Sequence, residues 1–354
     1  MNTRENWIDW AKTIGILLVV MGHLDISLTG ANTLISAFHM PLFFVISGYL
    51  SSNQLVTPPP SRLGKSYHIK LAKTLLMPYL IYQILNYPYW LYAAYKMGRL
   101  ADPELFDLVV KPINGILIGN AGDTSYSSMI CGPMWFVMAL FVLKFGFGYL
   151  SRLKDRYILL SCFIAPAIVV LLRAADLRLI FSADCALLAL PFFCAGYWMK
   201  KYGVLDKLKF GALKWLGAAI FFGIILVLST KMNGFAFMAG AQYGHNILLF
   251  FMQAFSGIFL VFAVCLILKN IQKAPVIHIS NGTLFILGLQ GMTLSIIRQY
   301  ILIRGLHIDF EGFSLPGQFA LQFMVGIVVL AILYIPMVWA EKRCPVLVGK
   351  LPKK

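Results

Sequence analysis

Charge is what this sequence has least of. Only 12% of its 354 residues are Asp, Glu, Lys or Arg, while 60% are apolar. A soluble domain typically carries about 25% charged residues, so a water-soluble globule of this size would have too few to cover its surface. Blocks of like charge and short repeats are also missing, which excludes disordered, collagen-like and coiled-coil chains. The six cysteines (Cys131, Cys162, Cys185, Cys194, Cys265 and Cys344) form no C-x-x-C and no zinc spacing. Most lie in apolar runs, where Cys acts as a small hydrophobe, so neither a disulfide framework nor a metal site is expected. The first apolar run is too long for a signal-peptide core and lacks an A-x-A site, so it reads as a retained first helix. What remains is a polytopic membrane protein.

A spanning helix needs about 20 mostly apolar residues. Ten runs approach this: Ile8–Leu28, Leu34–Ser52, Thr74–Tyr95, Pro133–Leu150, Tyr157–Leu172, Leu179–Met199, Leu216–Leu228, His245–Leu268, Ile279–Tyr300 and Gln318–Ala340. Runs this continuous are helices rather than barrel strands, which alternate polar and apolar residues. The expected fold is all-α, one integral-membrane domain over residues 1–354 with about ten transmembrane helices. Acidic residues are few, 14 against 30 Lys and Arg, for a net charge of +16. In a soluble protein that surplus would point to nucleic acid. Here, with the N-terminus placed in the cytoplasm, 22 of the 30 basic residues fall on the cytoplasmic side. That is the positive-inside bias, so both termini are read as cytoplasmic and no nucleic-acid partner is called for. The longest connection, Lys96–Gly132, is then an outer loop with Asp102, Glu104, Asp107 and Asp123. Its length suggests a lid or binding surface that contacts the substrate.

Ionisable groups inside apolar runs are expensive in lipid and mark function by default. Here they are Asp9, Lys12, His23 and Asp25 in the first run, His39 in the second, Lys144 in the fourth and Asp184 in the sixth. His23, His39 and Asp184 each lie five residues from the expected outer end of a helix, at one common depth of about 7–8 Å. Lys12 and His23 are 11 residues apart, about three helical turns, so they share a face roughly 16 Å apart. Gly15 and Gly22 flank that stripe and allow close helix approach. A cation near the cytoplasm and an imidazole deeper in suit a long, phosphate-bearing donor.

WIDWAKTIGILLVVMGH (Trp7–His23), followed by FHMPLFFVISGYL (Phe38–Leu50), resembles the integral-membrane acyltransferase 3 family. The likeness is closest to fucose 4-O-acetylase-like and polysaccharide O-acetyltransferase members. KTLLMPYL (Lys73–Leu80), MWFVMALF (Met134–Phe141), LPFFCAGYWM (Leu190–Met199) and ISNGTLFILGLQ (Ile279–Gln290) fall where further family motifs occur. The resemblance implies ten helices in the bacterial cytoplasmic membrane. It also implies transfer of an acyl group, usually acetyl from acetyl-CoA, to a sugar hydroxyl of a surface glycan or its lipid-linked precursor. The family's essential His corresponds to His23, and its basic residue in the first helix to Lys12. Many members have an arginine pair before the third helix, where this chain offers Lys70 and Lys73; lysine holds phosphate as a point charge, without a bidentate fork. Many also have a His where this chain has Gln290.

Acyl transfer to a hydroxyl needs a base and a stabiliser for the tetrahedral oxyanion. His23 is the expected base or acyl relay, with Asp184 or Asp9 as an orienting carboxylate. Lys12, Lys70 and Lys73 are the expected donor-binding residues. His39 is expected to serve the oxyanion or the acceptor, with Ser47 and Trp135 as further acceptor contacts. Plainer readings stand beside these: close helix packing for Ser47 and Gly48, interfacial anchoring for Trp135, an ion pair with Arg178 for Asp184, and snorkelling to the inner interface for Lys144. No resident cofactor is expected, since acyl-CoA is a substrate. The alternative class is a transporter or flippase of a lipid-linked sugar, against which stands the lack of visible internal repeats.

Overall fold

The structure, a computed structural model, describes residues 4–24, 30–55, 65–96, 98, 104, 106–122, 124–308 and 313–351. Asp25, Asp102 and Asp123 lie outside the described residues. The helices are α1 (Asn6–Gly22), α2 (Ala31–Ser36), α3 (His39–Leu55), α4 (Lys65–Lys96), α5 (Lys111–Ile118), α6 (Trp135–Leu150) and α7 (Asp155–Ala174). They continue with α8 (Ala183–Lys201), α9 (Val204–Lys207), α10 (Ala212–Asn233), α11 (Ile247–Leu268), α12 (Ala274–Asn281), α13 (Thr283–Ile296) and α14 (Leu315–Arg343). No strand occurs among the described residues, only a lone bridge between Phe237 and Gln242. The fold is all-α because lipid offers the backbone no partners, and a helix satisfies its own amides and carbonyls.

Eight segments among the described residues are long and apolar enough to cross a membrane. α1 and α4, which occupy the other two of the ten expected runs, are not among these eight. α1 is shorter, at 17 residues, while α4 has 32 residues and carries Lys70 and Lys73 in its first turns. Large apolar side chains stand exposed around the outside, among them Phe163, Leu171, Leu213 and Ile220. Such a surface suits lipid and would be unfavourable in water.

The second run departs from expectation by breaking in two. α2 ends at Ser36 and α3 begins at His39. Pro41 weakens the helix there: it has no N–H to give the Ala37 carbonyl four residues back, and its ring crowds that carbonyl. At the restart the Ile35 carbonyl accepts from the Phe38 amide at 3.2 Å and also meets His39, whose Nδ1 lies 2.8 Å from it.

α1 is central, packing against α3, α11, α12, α13 and α14. α3 and α8 meet backbone to backbone. A Cβ on Gly48 would collide with the Phe193 carbonyl, and one on Gly196 with that of Val45. Small residues at a crossing let helices approach this closely, which is the packing role read for Gly48.

The long connection after α4 is folded onto the bundle. Tyr79 Oη donates to the Ile116 carbonyl at 2.7 Å, Asn120 Nδ2 to that of Leu179 at 2.8 Å, and Ser182 Oγ to that of Gly119 at 2.7 Å.

Candidate active site

Two cavities lie along α1, one at each end. The one at the Lys12 end has a volume of about 370 Å³. Its cations come from three helices: Lys12 on α1, Lys70 on α4 and Lys144 on α6. Lys144 is within electrostatic reach of both others. Among the described residues, no acidic side chain lines this cavity. Its deeper walls are apolar, from Ile16, Val19, Phe43, Ile46, Phe136 and Leu140, and Ser47, Tyr67 and Thr74 add hydroxyls. Three lysines with no acidic side chain in the cavity lining suit an anion, continued by a channel for an uncharged arm.

The cavity at the other end has a volume of about 360 Å³. His23, His39, Asn32, Ser36 and Trp135 line it, with Phe235, Phe237, Met238 and Ala239 from the α10–α11 connection. His39 Nδ1 faces a carbonyl, so in the neutral ring that nitrogen carries the proton and Nε2 is left as an acceptor. A neutral His39 can therefore accept a hydrogen bond at Nε2 but has no proton there to donate to an oxyanion. Met40 and Leu287 line both cavities, so the two adjoin at these side chains.

The structure does not bring either expected carboxylate to His23. Both oxygens of Asp9 are engaged: Arg4 donates to them at 2.6 and 2.8 Å, and Ser280 Oγ donates at 2.6 Å. Asp9 also lies 14 residues before His23, about 21 Å along α1. Asp184 accepts from Arg178 and from the Cys185 amide at 2.9 Å. Arg178 in turn donates to the Ala239 carbonyl at 3.0 Å. The plainer ion-pair reading of Asp184 thus describes its contacts, and the pair fastens the α10–α11 connection.

Ser47 lines the Lys12-end cavity rather than the His23-end one. Lys73 is exposed and lines neither: α4 faces the Lys12-end cavity with Tyr67, Lys70, Leu71, Thr74 and Leu75, and Lys73 lies off that stripe. Lys144 corrects the snorkelling reading: α6 turns it into the cavity instead of along the lipid interface. The long connection over 104–131 contributes no residue to either cavity among those described; Pro133 and Trp135, just beyond it, do.

The acyltransferase 3 family, described as an acyltransferase domain, matches residues 5–337. The chain belongs to this family. Among curated relatives, the chain is 30% identical over 208 residues to Nodulation protein NolL of Sinorhizobium fredii (strain NBRC 101917 / NGR234), covering 55% of this chain and 49% of the relative. It is 29% identical over 209 residues to Nodulation protein NolL of Mesorhizobium japonicum (strain LMG 29417 / CECT 9101 / MAFF 303099), covering 55% and 48%. The chain thus spans about half the length of these relatives. No solved structure matches it.

Within this acyltransferase 3 chain, several cavity residues carried no distinct signal in the sequence. Met40 and Leu287 look like any apolar helix residue. Val348 and Gly349, beyond the matched family segment, fold back to line the Lys12-end cavity, and Tyr82 Oη fastens that turn by donating to the Leu347 carbonyl at 2.8 Å. Gln290, where many family members have His, is fully buried, and neither amide atom has a partner among the described residues. It sits three residues beyond Leu287 on α13, on the stripe that Thr283 and Leu287 begin. Its departure from the family pattern was the signal that pointed to it.

Proposed function

We propose that this chain is a membrane O-acyltransferase, folded as one unit in the bacterial cytoplasmic membrane with its Lys12 end toward the cytoplasm. In this reading an acyl-CoA, most simply acetyl-CoA, enters at the Lys12 end. The acceptor, a hydroxyl of a cell-surface glycan or its lipid-linked precursor, enters at the His23 end. The observation that carries the reading is the adjoining pair of cavities: three lysines and no acid in one, two histidines in the other, with Met40 and Leu287 shared.

Lys12, Lys70 and Lys144 hold the donor's phosphates. The apolar walls receive the pantetheine arm, which carries the thioester toward Met40 and Leu287. His23 takes the proton of the acceptor hydroxyl as its oxygen attacks the thioester carbonyl. The tetrahedral oxyanion collapses, the C–S bond breaks, and CoA leaves as a thiol after receiving a proton from the imidazolium. Gln290, three residues beyond Leu287 and in neither cavity's lining, would have to turn its amide N–H toward the oxyanion to donate to it. His39 Nε2 receives a hydroxyl of the acceptor. A covalent variant, with the acyl group resting on His23 before reaching the acceptor, uses the same residues.

The test is membranes given labelled acetyl-CoA. The reading expects labelled glycan and free CoA with the unaltered protein, and neither with His23→Ala. Full labelling with His23→Ala overturns the assignment of the base. Vectorial movement of a lipid-linked sugar without acyl transfer overturns the enzyme reading.

A further inference from the structure

We propose that the connection between α10 and α11, residues 234–246, is the platform on which a sugar ring of the acceptor lies, with Phe235 and Phe237 providing its apolar face. This rests on the acyl-transfer reading above and names the residues that recognise the acceptor.

Loops ordinarily run over the surface, where water satisfies their backbone. This one is folded inward: Ala236, Met238, Ala239 and Ala241 are buried. It is fastened from both sides. Asn233, fully buried, donates from Nδ2 to the Tyr243 carbonyl at 2.8 Å and to Gln253 Oε1 at 2.6 Å, and its Oδ1 accepts from the Asn246 amide at 2.8 Å. Gln253 Nε2 donates to the Gly234 carbonyl at 3.3 Å. From α8 and its approach, Arg178, held by Asp184, grips the Ala239 carbonyl at 3.0 Å, and Cys185 Sγ donates to that of Met238 at 3.1 Å. Phe237 and Gln242 exchange backbone hydrogen bonds that close the tip.

What this scaffold presents to the His23 cavity is aromatic. Phe235 and Phe237 stand 6.0 Å apart between ring centroids with planes 18° from parallel. Trp135 also lines this cavity, and Asn32, Ser36, His23 and His39 supply amide, hydroxyl and imidazole groups. A pyranose has C–H groups on its faces and hydroxyls around its edge. Aromatic faces beside convergent polar groups match both halves of that surface at once.

The experiment uses the full chain in membranes that hold the native glycan, with labelled acetyl-CoA as probe and label in glycan as readout. The second readout is the rise in Tm that acetyl-CoA gives to the purified protein. Three double variants are compared: both phenylalanines to Ala, both to Leu, and both to Tyr. The Ala and Leu pairs are expected to lose at least about tenfold in glycan label at limiting acceptor, while keeping the donor-induced Tm rise. The Tyr pair keeps the ring faces and is expected to stay within about twofold of the parent. Labelling by the Leu pair equal to that of the parent overturns the platform and leaves acyl transfer standing. Should the Ala pair also lose the Tm rise, the Leu and Tyr pairs decide. Absence of label with the unaltered protein overturns acyl transfer itself, and the platform with it.

Discussion

Met40 on α3 and Leu287 on α13 each form part of the wall of both cavities, the one that holds Lys12 and the one that holds His23. These two side chains therefore stand where an acyl group would pass from the phosphate-binding end to the imidazole end. Leu287→Phe adds bulk at that point. Glycan labelling is expected to fall by at least about tenfold, while the acetyl-CoA-induced rise in Tm persists, because the lysines are untouched. Equal labelling in parent and variant would show that the acyl group takes another route.

The three lysines of the donor cavity are expected to act on donor affinity. Lys12→Gln, Lys70→Gln and Lys144→Gln each remove a charge-assisted contact, raising the KM for acetyl-CoA by about 10–100-fold. Lys70→Arg is expected to retain affinity, since its guanidinium can hold phosphate bidentately. Lys73→Gln is the internal control: exposed and outside the cavity, it should leave KM unchanged. Steady-state kinetics at fixed ionic strength check all five.

Asp9 and Asp184 are expected to be positioning residues. Asp9→Asn loosens the Arg4–Asp9–Ser280 knot and should lower Tm, with the pH–rate profile unmoved. Asp184→Asn weakens the grip of Arg178 on the α10–α11 connection and should raise the acceptor KM, again without moving the profile. A shift in the kinetic pKa with either variant would mean that the carboxylate acts on His23 after all.

Glu5, just ahead of α1, gives a pH prediction. Burial by itself raises its pKa, but hydrogen bonds from Lys200, Tyr49 and Trp7 outweigh this and hold it below its ordinary 4.5. A carboxylate depressed by folding stabilises above its unfolded pKa, and that contribution is lost as pH falls through the folded value. Glu5→Gln should therefore lower Tm at neutral pH, and the gap to the parent should close under acid conditions below about 4.5. A gap independent of pH would contradict the ion-pair origin.

Gln290 offers a test in which stability and activity move in opposite directions. Its buried amide, which has no partner among the described residues, costs free energy, of order 1–3 kcal/mol for such groups. Gln290→Leu should raise Tm and reduce glycan labelling, the pattern of a polar group kept for chemistry. A rise in Tm with full activity would remove Gln290 from the mechanism.

Much of the architecture was legible in the sequence because lipid imposes simple rules. The ten apolar runs follow from backbone satisfaction, and Lys12 and His23 share a helix face by spacing alone. What spacing hid was the aim of each side chain. Asp184 sits at the depth read for His23, yet Arg178, six residues before it, claims its carboxylate. Lys144 reads as an interfacial lysine until α4 and α1 close over it beside Lys70 and Lys12. The restart at His39 is invisible to hydropathy, since both halves of the run are equally apolar; only Pro41 marks it. Nothing local in the α10–α11 connection tells that Asn233 and Arg178 draw it inward.

The central claim is that one chain carries an acyl group from the Lys12 end of the bundle to the His23 end. Sealed vesicles holding the purified protein test it directly, with labelled acetyl-CoA on one side of the membrane and glycan acceptor on the other. The account predicts labelled glycan in the compartment that never contained acetyl-CoA, and none with His23→Ala. Labelling that occurs only when donor and acceptor share a compartment would contradict it.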